Sequence, residues 1–594
     1  MESLEERLNA VTTKFGLWQT GVFLLVALVK IPSAWHMLGV LFKAPDAEFW
    51  CEQPKTLAHL PTEVWINISH PIKEERNGIK YYNPCEIYDV GFDGTVGNGH
   101  YQEFNVADYA RNISYSTKLR PCREFRFDNN SVFQETVVTE WHLVCNRRIL
   151  VNVSQFLYLV GILTGGFVAT VTLPRVGPRC VLLFGAAVQI VIGTANAFVP
   201  LFELNITMRF AAAFGCAFMF TAGYTICRDI TWGKSRIIAC ASYEFFWSFG
   251  VMSLPGLSLL FGTTSWRLLQ ISISVPTTVL LIFAYLFLPE SPRWLMVSGR
   301  PEEAEMILKR IAQVNRQTIP EIPCEPQKPS EETVPPESKK PGKRSTWLIW
   351  FGLFEGPAFF KMVALHLLWI TTIVTYYGAL LNVKNLGSNL FLNIVIAGWA
   401  EIAGVIIGTL LILFAKVNKW KYLGAIMLTG GICCMSTWLL HLESVEGKLH
   451  LSDRYWWHQS ALLILAMVDR IAIACSLTLL QVSAAEVVPA DQQKMASVST
   501  VTLARVFLCG APFVGVLASY GAPMPLTAFG SLSIIGGISA FLLSTPKESP
   551  HFYSKNWSMA KFWPTNGKNS VWTVKSEATP EGKMECYNPS FIIE

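Results

Sequence analysis

The sequence predicts an all-α membrane protein with twelve transmembrane helices in two halves of six, and a large polar loop between the first two helices. Three observations predict this fold. Of the 594 residues, 51% are hydrophobic and only 15% are charged, whereas soluble domains carry about 25% charged residues. Twelve apolar stretches are close to the length of about 20 residues that a helix needs to cross a bilayer. Two long polar stretches interrupt this series.

The twelve apolar stretches define the organisation of the chain. The N-terminal segment MESLEERLNAVTTKFG is polar and mixed in charge, so we expect no cleavable signal peptide. The predicted helices cover about 16–41, 149–172, 180–200, 207–228, 238–262, 266–289, 359–382, 388–414, 422–442, 459–483, 495–518 and 522–544. The predicted regions are an N-terminal segment 1–15, a first half 16–289, a linker 290–358, a second half 359–544 and a tail 545–594.

The polar loop 43–148 is predicted to be extracellular. It combines three acceptor sequons with four cysteines, and both features are typical of secreted segments. Four cysteines indicate two disulfides, but their spacing leaves all three pairings open. The sequons are at Asn67, Asn112 and Asn129, and the cysteines are Cys51, Cys85, Cys122 and Cys145.

Charge in the remaining loops predicts which end of the bundle is cytoplasmic. Basic residues fall in alternate short loops, such as PRVGPR and AKVNKWK. The short loops on the opposite side, such as VPLFELN and SYGAPMP, have none. This asymmetry predicts that both termini are cytoplasmic. In the linker, GRPEEAEMILKRIAQVNRQ predicts surface helices, and the Pro-rich segment that follows predicts disorder. The net charge of +5 is too small to indicate a nucleic-acid partner.

Four segments resemble a known family. They are TEWHLVCNRR at 139–148, PESPRWL at 289–295, LWITTIVTYYGALL in the seventh predicted helix and SAAEVVPADQQ after the tenth. With the cysteine-containing loop, they resemble the organic cation, anion and zwitterion transporters of the major facilitator superfamily over about residues 14–548. The style of the sequence is also similar to the insect branch that includes beta-alanine and carcinine carriers.

The resemblance implies a plasma-membrane secondary transporter that works by alternating access, needs no cofactor and is not an enzyme. Its partners would be a small organic ion and the lipid bilayer, and the oligomeric state stays open. It also implies gating roles for charged residues near the cytoplasmic end. These residues are Arg175, Asp229, Arg236, Glu290, Arg293 and Glu486.

The chain departs from the family pattern at three places. The segment Pro174–Pro178 reads PRVGP where members usually have Asp-Arg-x-Gly-Arg, and Ala415 stands where Asp is common. Both loops belong to the cytoplasmic latch of the family, so the latch is expected to be weak or rebuilt. The loop also has four cysteines where six are common.

Ionisable residues inside the predicted helices are candidates for the substrate site, because each costs about 2.5–3.5 kcal/mol on insertion scales. Arg505 matches a position where the anion and zwitterion branches have arginine, and its planar fork can bind a carboxylate. Glu244 could bind an ammonium group, and Tyr376 could hold one by cation–π attraction. The predicted substrate-binding residues are Lys30, Glu244, Tyr376, Glu401 and Arg505.

Each candidate also has a structural explanation. Glu244 could form an internal ion pair, Glu401 could pair with Arg505, and Lys30 could reach toward the membrane surface. His36 reads mainly as a packed, hydrogen-bonded residue. Asp469 and Arg470 point about 100° apart on one helix, so each is expected to bind a neighbouring helix.

Three functions follow from these residues. The first is transport of a zwitterionic amine–carboxylate, such as beta-alanine or a carnitine-like compound. The alternative is transport of organic cations such as carcinine. A membrane enzyme is a remote third, because HExxH, GxSxG and Walker motifs are absent from the sequence and its acids lack the clustering of a metal or hydrolytic site. Twelve helices in two halves also argue against a channel or receptor.

Glycosylation tests the side of the membrane on which the loop lies. Treating intact cells with a glycosidase should increase the electrophoretic mobility of the protein, because Asn67, Asn112 and Asn129 would carry glycans outside the cell. A variant with all three replaced by Gln is the control and should show no change. Unmodified asparagines in the unaltered protein would contradict the extracellular assignment.

Overall fold

The computed structural model describes most of the chain. Residues Asn112, Asn129, Ala415 and Glu486, on which predictions were made, lie outside the described residues. The structure describes residues 2–53, 61–76, 79–88, 118–128, 131–319, 358–386, 389–414, 418–446, 451–484, 487–488, 493–521 and 523–544.

Twelve helices in this part of the chain are long and apolar enough to cross a bilayer, which confirms the predicted number. They are called spans 1 to 12. In order, they cover Leu17–Lys43, Cys145–Val176, Pro178–Phe198, Phe202–Asp229, Gly233–Gly262, Trp266–Phe287, Phe359–Leu381, Leu390–Phe414, Lys419–Leu439, Ser460–Ser483, Met495–Ser519 and Met524–Leu543.

Several spans are not regular from end to end. Span 1 consists of the helices Leu17–Ala27, Lys30–Leu38 and Val40–Lys43, and span 5 ends in a π-helical turn at Ser258–Gly262. Span 11 passes from α-helix into a 3₁₀ turn at Gly515–Ser519. Spans 9 and 10 belong to the longer helices Lys419–Glu446 and Leu451–Ser483.

Short elements lie at both ends of the bundle. The helices outside the spans include Glu2–Thr12, Thr62–Ser69, Val137–Glu140, Pro292–Val297 and Pro301–Asn315. The strands, all in the loop between spans 1 and 2, are β1 Phe49–Cys51, β2 Ile72–Arg76, β3 Ile79–Tyr82, β4 Glu86–Tyr88, β5 Leu119–Pro121 and β6 Phe125–Phe127. They form the antiparallel pairs β1–β6, β2–β3 and β4–β5, which the all-α prediction did not anticipate.

Two disulfides link parts of this loop, and one of them reaches the bundle. The structure joins Cys51 to Cys122 and Cys85 to Cys145, with Cα–Cα distances of 5.5 and 5.6 Å. Since Cys145 begins span 2, the second bridge fixes the loop to a membrane helix. Among the predicted sequons, Asn67 is exposed and accepts a hydrogen bond from the Tyr82 hydroxyl at 2.5 Å. The end of the bundle with this loop is called the loop end, and the opposite end is called the linker end.

Glycines give the two halves matching helix contacts. In the first half, a Cβ added at Gly165 of span 2 would lie 2.6 Å from the carbonyl oxygen of Phe214 in span 4. In the second half, a Cβ at Gly408 of span 8 would lie 2.9 Å from the carbonyl oxygen of Cys475 in span 10. Gly161 and Gly404, four residues earlier, make the same type of contact. Small residues four apart let membrane helices approach closely, so both halves use one packing rule.

The contact at Gly165 generates a stability prediction. Gly165→Val should lower the free energy of unfolding by about 1–3 kcal/mol or more, because the new side chain must push spans 2 and 4 apart. The thermal unfolding midpoint in detergent and the amount at the cell surface measure this loss. The matched control is Gly21→Val in span 1, whose Cβ would meet nothing within 4 Å. Equal losses in the two variants would contradict the packing explanation.

Candidate functional site

An ion pair lies in the middle of the first half. Nζ of Lys30 in span 1 is 2.5 Å from Oε2 of Glu244 in span 5, and both side chains are almost fully buried. The Lys30 ammonium also lies 4.2 Å from the centre of the Tyr243 ring. Lys30 therefore does not extend to the membrane surface, and Glu244 already has an internal cation.

A second buried pair lies in the other half and involves three spans. Nη2 of Arg470 in span 10 is 2.7 Å from Oε2 of Glu401 in span 8. The Tyr376 hydroxyl of span 7 donates to the other carboxylate oxygen, and Arg470 donates to the Tyr376 carbonyl. The guanidinium also lies 4.3 Å from the centre of the Tyr376 ring. Both oxygens of Glu401 are thus occupied within the protein.

This arrangement decides which partner Glu401 has. The sequence offered Arg505 as one possible partner, but the structure places Arg470 there instead. Asp469, the neighbour of Arg470, accepts a hydrogen bond from Ser533 of span 12 at 3.3 Å. The two adjacent residues therefore bind different helices, as the expected angle between them indicates.

Arg505 differs from Lys30 and Arg470 because no carboxylate is paired with it in the described part of the chain. It lies in span 11, and its Nη1 contacts the position where a side chain at Gly166 of span 2 would begin. Gly166 thus leaves the space that the guanidinium occupies. Arg505 is a half-buried cation at the boundary between the two halves.

Aromatic side chains connect these charged groups. The Tyr377 phenol of span 7 is close enough to Glu244, Arg470 and Arg505 to interact electrostatically with each of them. Its ring packs edge to face on Trp247 of span 5, with centres 5.7 Å apart. Nε1 of Trp247 is buried without a hydrogen-bond partner. The sequence singled out Tyr376 rather than Tyr377, since spacing alone could not tell which ring faces the other half.

The halves also meet at the loop end. The ring of Phe391 in span 8 lies 5.2 Å from Phe42 of span 1 and 5.9 Å from Phe133, centre to centre. Nearby, Nζ of Lys384 is 3.7 Å from Oδ2 of Asp46. These contacts close the loop end of the boundary between the halves. We found no sequence signal for them.

Four of the predicted gating residues lie together at the linker end of the first half. Oδ2 of Asp229 accepts a hydrogen bond from Ser291 at 2.8 Å, and Arg293 donates to the Asp229 carbonyl at 3.0 Å. Glu290 accepts from the backbone N–H groups of Arg179 and Ser291. Burial raises the pKa of the Glu290 carboxyl, and these two N–H groups oppose the shift. The fourth residue, Arg236, lies with Arg293 over the Trp232 ring, at 4.5 and 4.9 Å.

The altered loop after span 2 is held differently. Arg175 is exposed, and its guanidinium reaches only the carbonyl of Val171, at 3.4 Å, among the hydrogen bonds of the described residues. The carbonyl of Pro174 accepts from Nε1 of Trp294 at 3.0 Å. Among the hydrogen bonds and ion pairs of the described residues, none joins Arg175 to the other four described gating residues. In the described residues, no group of three or more His, Cys, Asp or Glu could hold a metal ion.

Comparison with known proteins agrees with this architecture. Residues 148–446 match the family described as Major Facilitator Superfamily. "Solute carrier family 22 member 12" of Mus musculus is 30% identical over 434 residues, covering 72% of this chain and 74% of the relative. "Organic cation/carnitine transporter 2" of Homo sapiens is 25% identical over 548 residues, covering 91% of each.

A solved structure has the same fold. The proton:xylose symporter XylE, bound to 6-bromo-6-deoxy-D-glucose, aligns with a TM-score of 0.50 at 13% identity, covering 88% of this chain and 94% of the symporter. That similarity concerns the fold alone, whereas the family match and the sequence relatives extend to the kind of protein. The chain belongs to the major facilitator superfamily, within its organic cation and anion transporter family, and is a multi-pass membrane transporter rather than an enzyme.

Proposed function

We propose that this transporter carries small organic ions with a carboxylate group across the plasma membrane, and that a zwitterionic amine–carboxylate such as beta-alanine or a carnitine-like compound is its substrate. The observation that carries the proposal is Arg505, a cation at the boundary between the halves without a paired carboxylate in the described residues. A guanidinium removed from water gains most from a partner that accepts two hydrogen bonds. A substrate carboxylate is such a partner.

The amine end of the substrate is assigned to Glu244 and the aromatic rings beside it. Glu244 has a lysine ammonium 2.5 Å away, so a substrate ammonium could replace an interaction that the protein already makes with a primary amine. The ring faces of Tyr377 and Trp247 attract cations. Glu401, by contrast, has no free oxygen, and Tyr376 is tied to it. We therefore assign these two residues to supporting the site rather than to touching the substrate.

A purely cationic substrate is the alternative. The human relative is named for both organic cations and carnitine, and carnitine bears an ammonium and a carboxylate. Glu244 with its aromatic neighbours would be enough to bind a cation, and Arg505 would then repel the substrate. Comparing how Arg505 affects the transport of substrates with a carboxylate and of substrates without one separates the two functions.

Alternating access would expose the site to one side at a time. The loop end is closed by Phe42, Phe133 and Phe391, and four of the predicted gating residues are gathered at the linker end of the first half. With basic loops facing the cytoplasm, the loop end would be extracellular and both termini cytoplasmic. The structure would then correspond to a state closed to the outside.

Replacing Arg505 tests the anion site. Arg505→Ala should lower the affinity for a carboxylate substrate at least about 30-fold, since a lost buried charge contact is worth roughly 2–5 kcal/mol. Arg505→Lys should recover little, because an ammonium lacks the two-pronged donor set. Saturable uptake of labelled beta-alanine, divided by surface expression, measures the change. The control is Arg310→Ala on the exposed linker helix. Normal uptake by Arg505→Ala at the surface would refute the assignment.

The Glu401–Arg470 pair is predicted to be structural. Glu401→Gln should destabilise the protein by about 3–5 kcal/mol, because Arg470 keeps a buried charge without its counter-ion. The double variant Glu401→Leu with Arg470→Met should recover much of that loss, since neither charge remains. Thermal unfolding midpoints give the comparison. A double variant as unstable as Glu401→Gln would contradict this explanation, and a stable Glu401→Gln that loses only substrate affinity would show that Glu401 binds the substrate.

A further inference from the structure

A second set of buried cations lies in the first half, near the loop end and away from Arg505. Lys43 ends span 1 and is 3% exposed, and Arg209 in span 4 is 6% exposed. The two charges are close enough to repel each other, and both act on the buried ring of His36. Among the residues considered from the sequence alone, only His36 belongs to this set.

The partners of these two cations are neutral. Nζ of Lys43 donates to Oε1 of Gln270 at 2.6 Å. Nη2 of Arg209 donates to Oε1 of Gln155 at 2.6 Å, and its guanidinium lies 5.4 Å from the centre of the Tyr158 ring. Neither cation has a carboxylate within ion-pair distance among the described residues. In addition, Nε of Arg209 is buried without any hydrogen-bond partner.

This arrangement is unlike that of Lys30 and Arg470. Lys30 and Arg470 are buried to the same degree, and each lies against a carboxylate at 2.5 and 2.7 Å. Two like charges out of water without a counter-ion are costly, because burial removes hydration and repulsion adds to the loss. A negative charge between Lys43 and Arg209 would offset both costs.

The structure has a cleft in which such a charge could lie. Lys43, Arg209, Ser154 and Asn205 line it, and the aromatic rings of Phe202 and Trp266 and aliphatic side chains of spans 1 and 2 and of the loop complete the wall. The Ser154 hydroxyl makes no hydrogen bond in the part of the chain that the structure describes. The cleft therefore offers two charged donors and one hydroxyl donor, and no acid.

We propose that Lys43, Arg209 and Ser154 bind a small monovalent inorganic anion, of which chloride is the representative, inside the first half of the transporter. The donors are almost fully buried, so only a small ion can reach them together. The site lies between spans 1, 2, 4 and 6, whereas Arg505 lies on span 11, so the two anion sites are separate. The carboxylate of a small organic acid shares the chemistry and is the competing source of charge.

Thermal unfolding of the purified full-length protein tests the proposal. The unfolding midpoint should be several degrees higher in sodium chloride than in sodium gluconate of equal concentration, because an ion that binds only the folded state stabilises it. Lys43→Gln should abolish the difference between the two salts. Lys384→Gln, which removes a partly exposed lysine at the same end, should retain it, and so should Arg505→Ala.

The remaining outcomes are those that would contradict the proposal. Equal midpoints in the two salts for the unaltered protein, or a chloride effect that survives Lys43→Gln, would overturn the proposal. Loss of the effect in Arg505→Ala would place the anion at the substrate site instead. A Lys43-dependent shift with sodium acetate but not with chloride would show that the site takes a carboxylate. If Lys43→Gln does not fold, Ser154→Val provides the same test by filling the cleft and should also abolish the chloride effect.

Discussion

A bilayer supplies no water to a charged side chain, so the helices themselves must provide a partner for each one. In the described part of the bundle, two almost fully buried cations meet that requirement with carboxylates, Lys30 with Glu244 and Arg470 with Glu401. Each pair joins different spans within one half, so each half is held together internally by charge. Arg505, Lys43 and Arg209 have no such partner among the described residues, and the two proposed anions would bind at these cations.

Close helix packing makes these pairs possible. Glycines on spans 2 and 8 bring the backbones of spans 4 and 10 near, at matching positions in the two halves. This equivalence places Arg209 and Arg470 on corresponding helices. Among the described residues, only the second of these arginines has an acid beside it. The two halves thus share a scaffold and differ in how charge is balanced on it.

The sequence was sufficient for the features that depend on composition and order along the chain. Twelve apolar stretches gave the number of spans, and charged residues inside them gave the candidate site. It could not give the partner of Glu401, because Arg470, Arg505 and Lys30 are all cations inside the spans and only packing selects among them. For the same reason Tyr377 and Arg209 were missed: their importance depends on which helix they face. The small strands in the loop also escaped, since none exceeds five residues.

The contact between Arg505 and Gly166 has a consequence for the relative motion of the two halves. Arg505 belongs to the second half, but the wall that its guanidinium touches belongs to the first. Any rotation of one half against the other therefore changes the surroundings of that charge, including its access to water and its distance from Glu244. A ligand can shift a conformational equilibrium only by as much as its affinity differs between the two states. Because the surroundings of Arg505 would differ between the two orientations of the halves, an anion bound to it would have a different affinity in each. The charge of the substrate and the orientation of the halves would therefore be thermodynamically coupled at this contact.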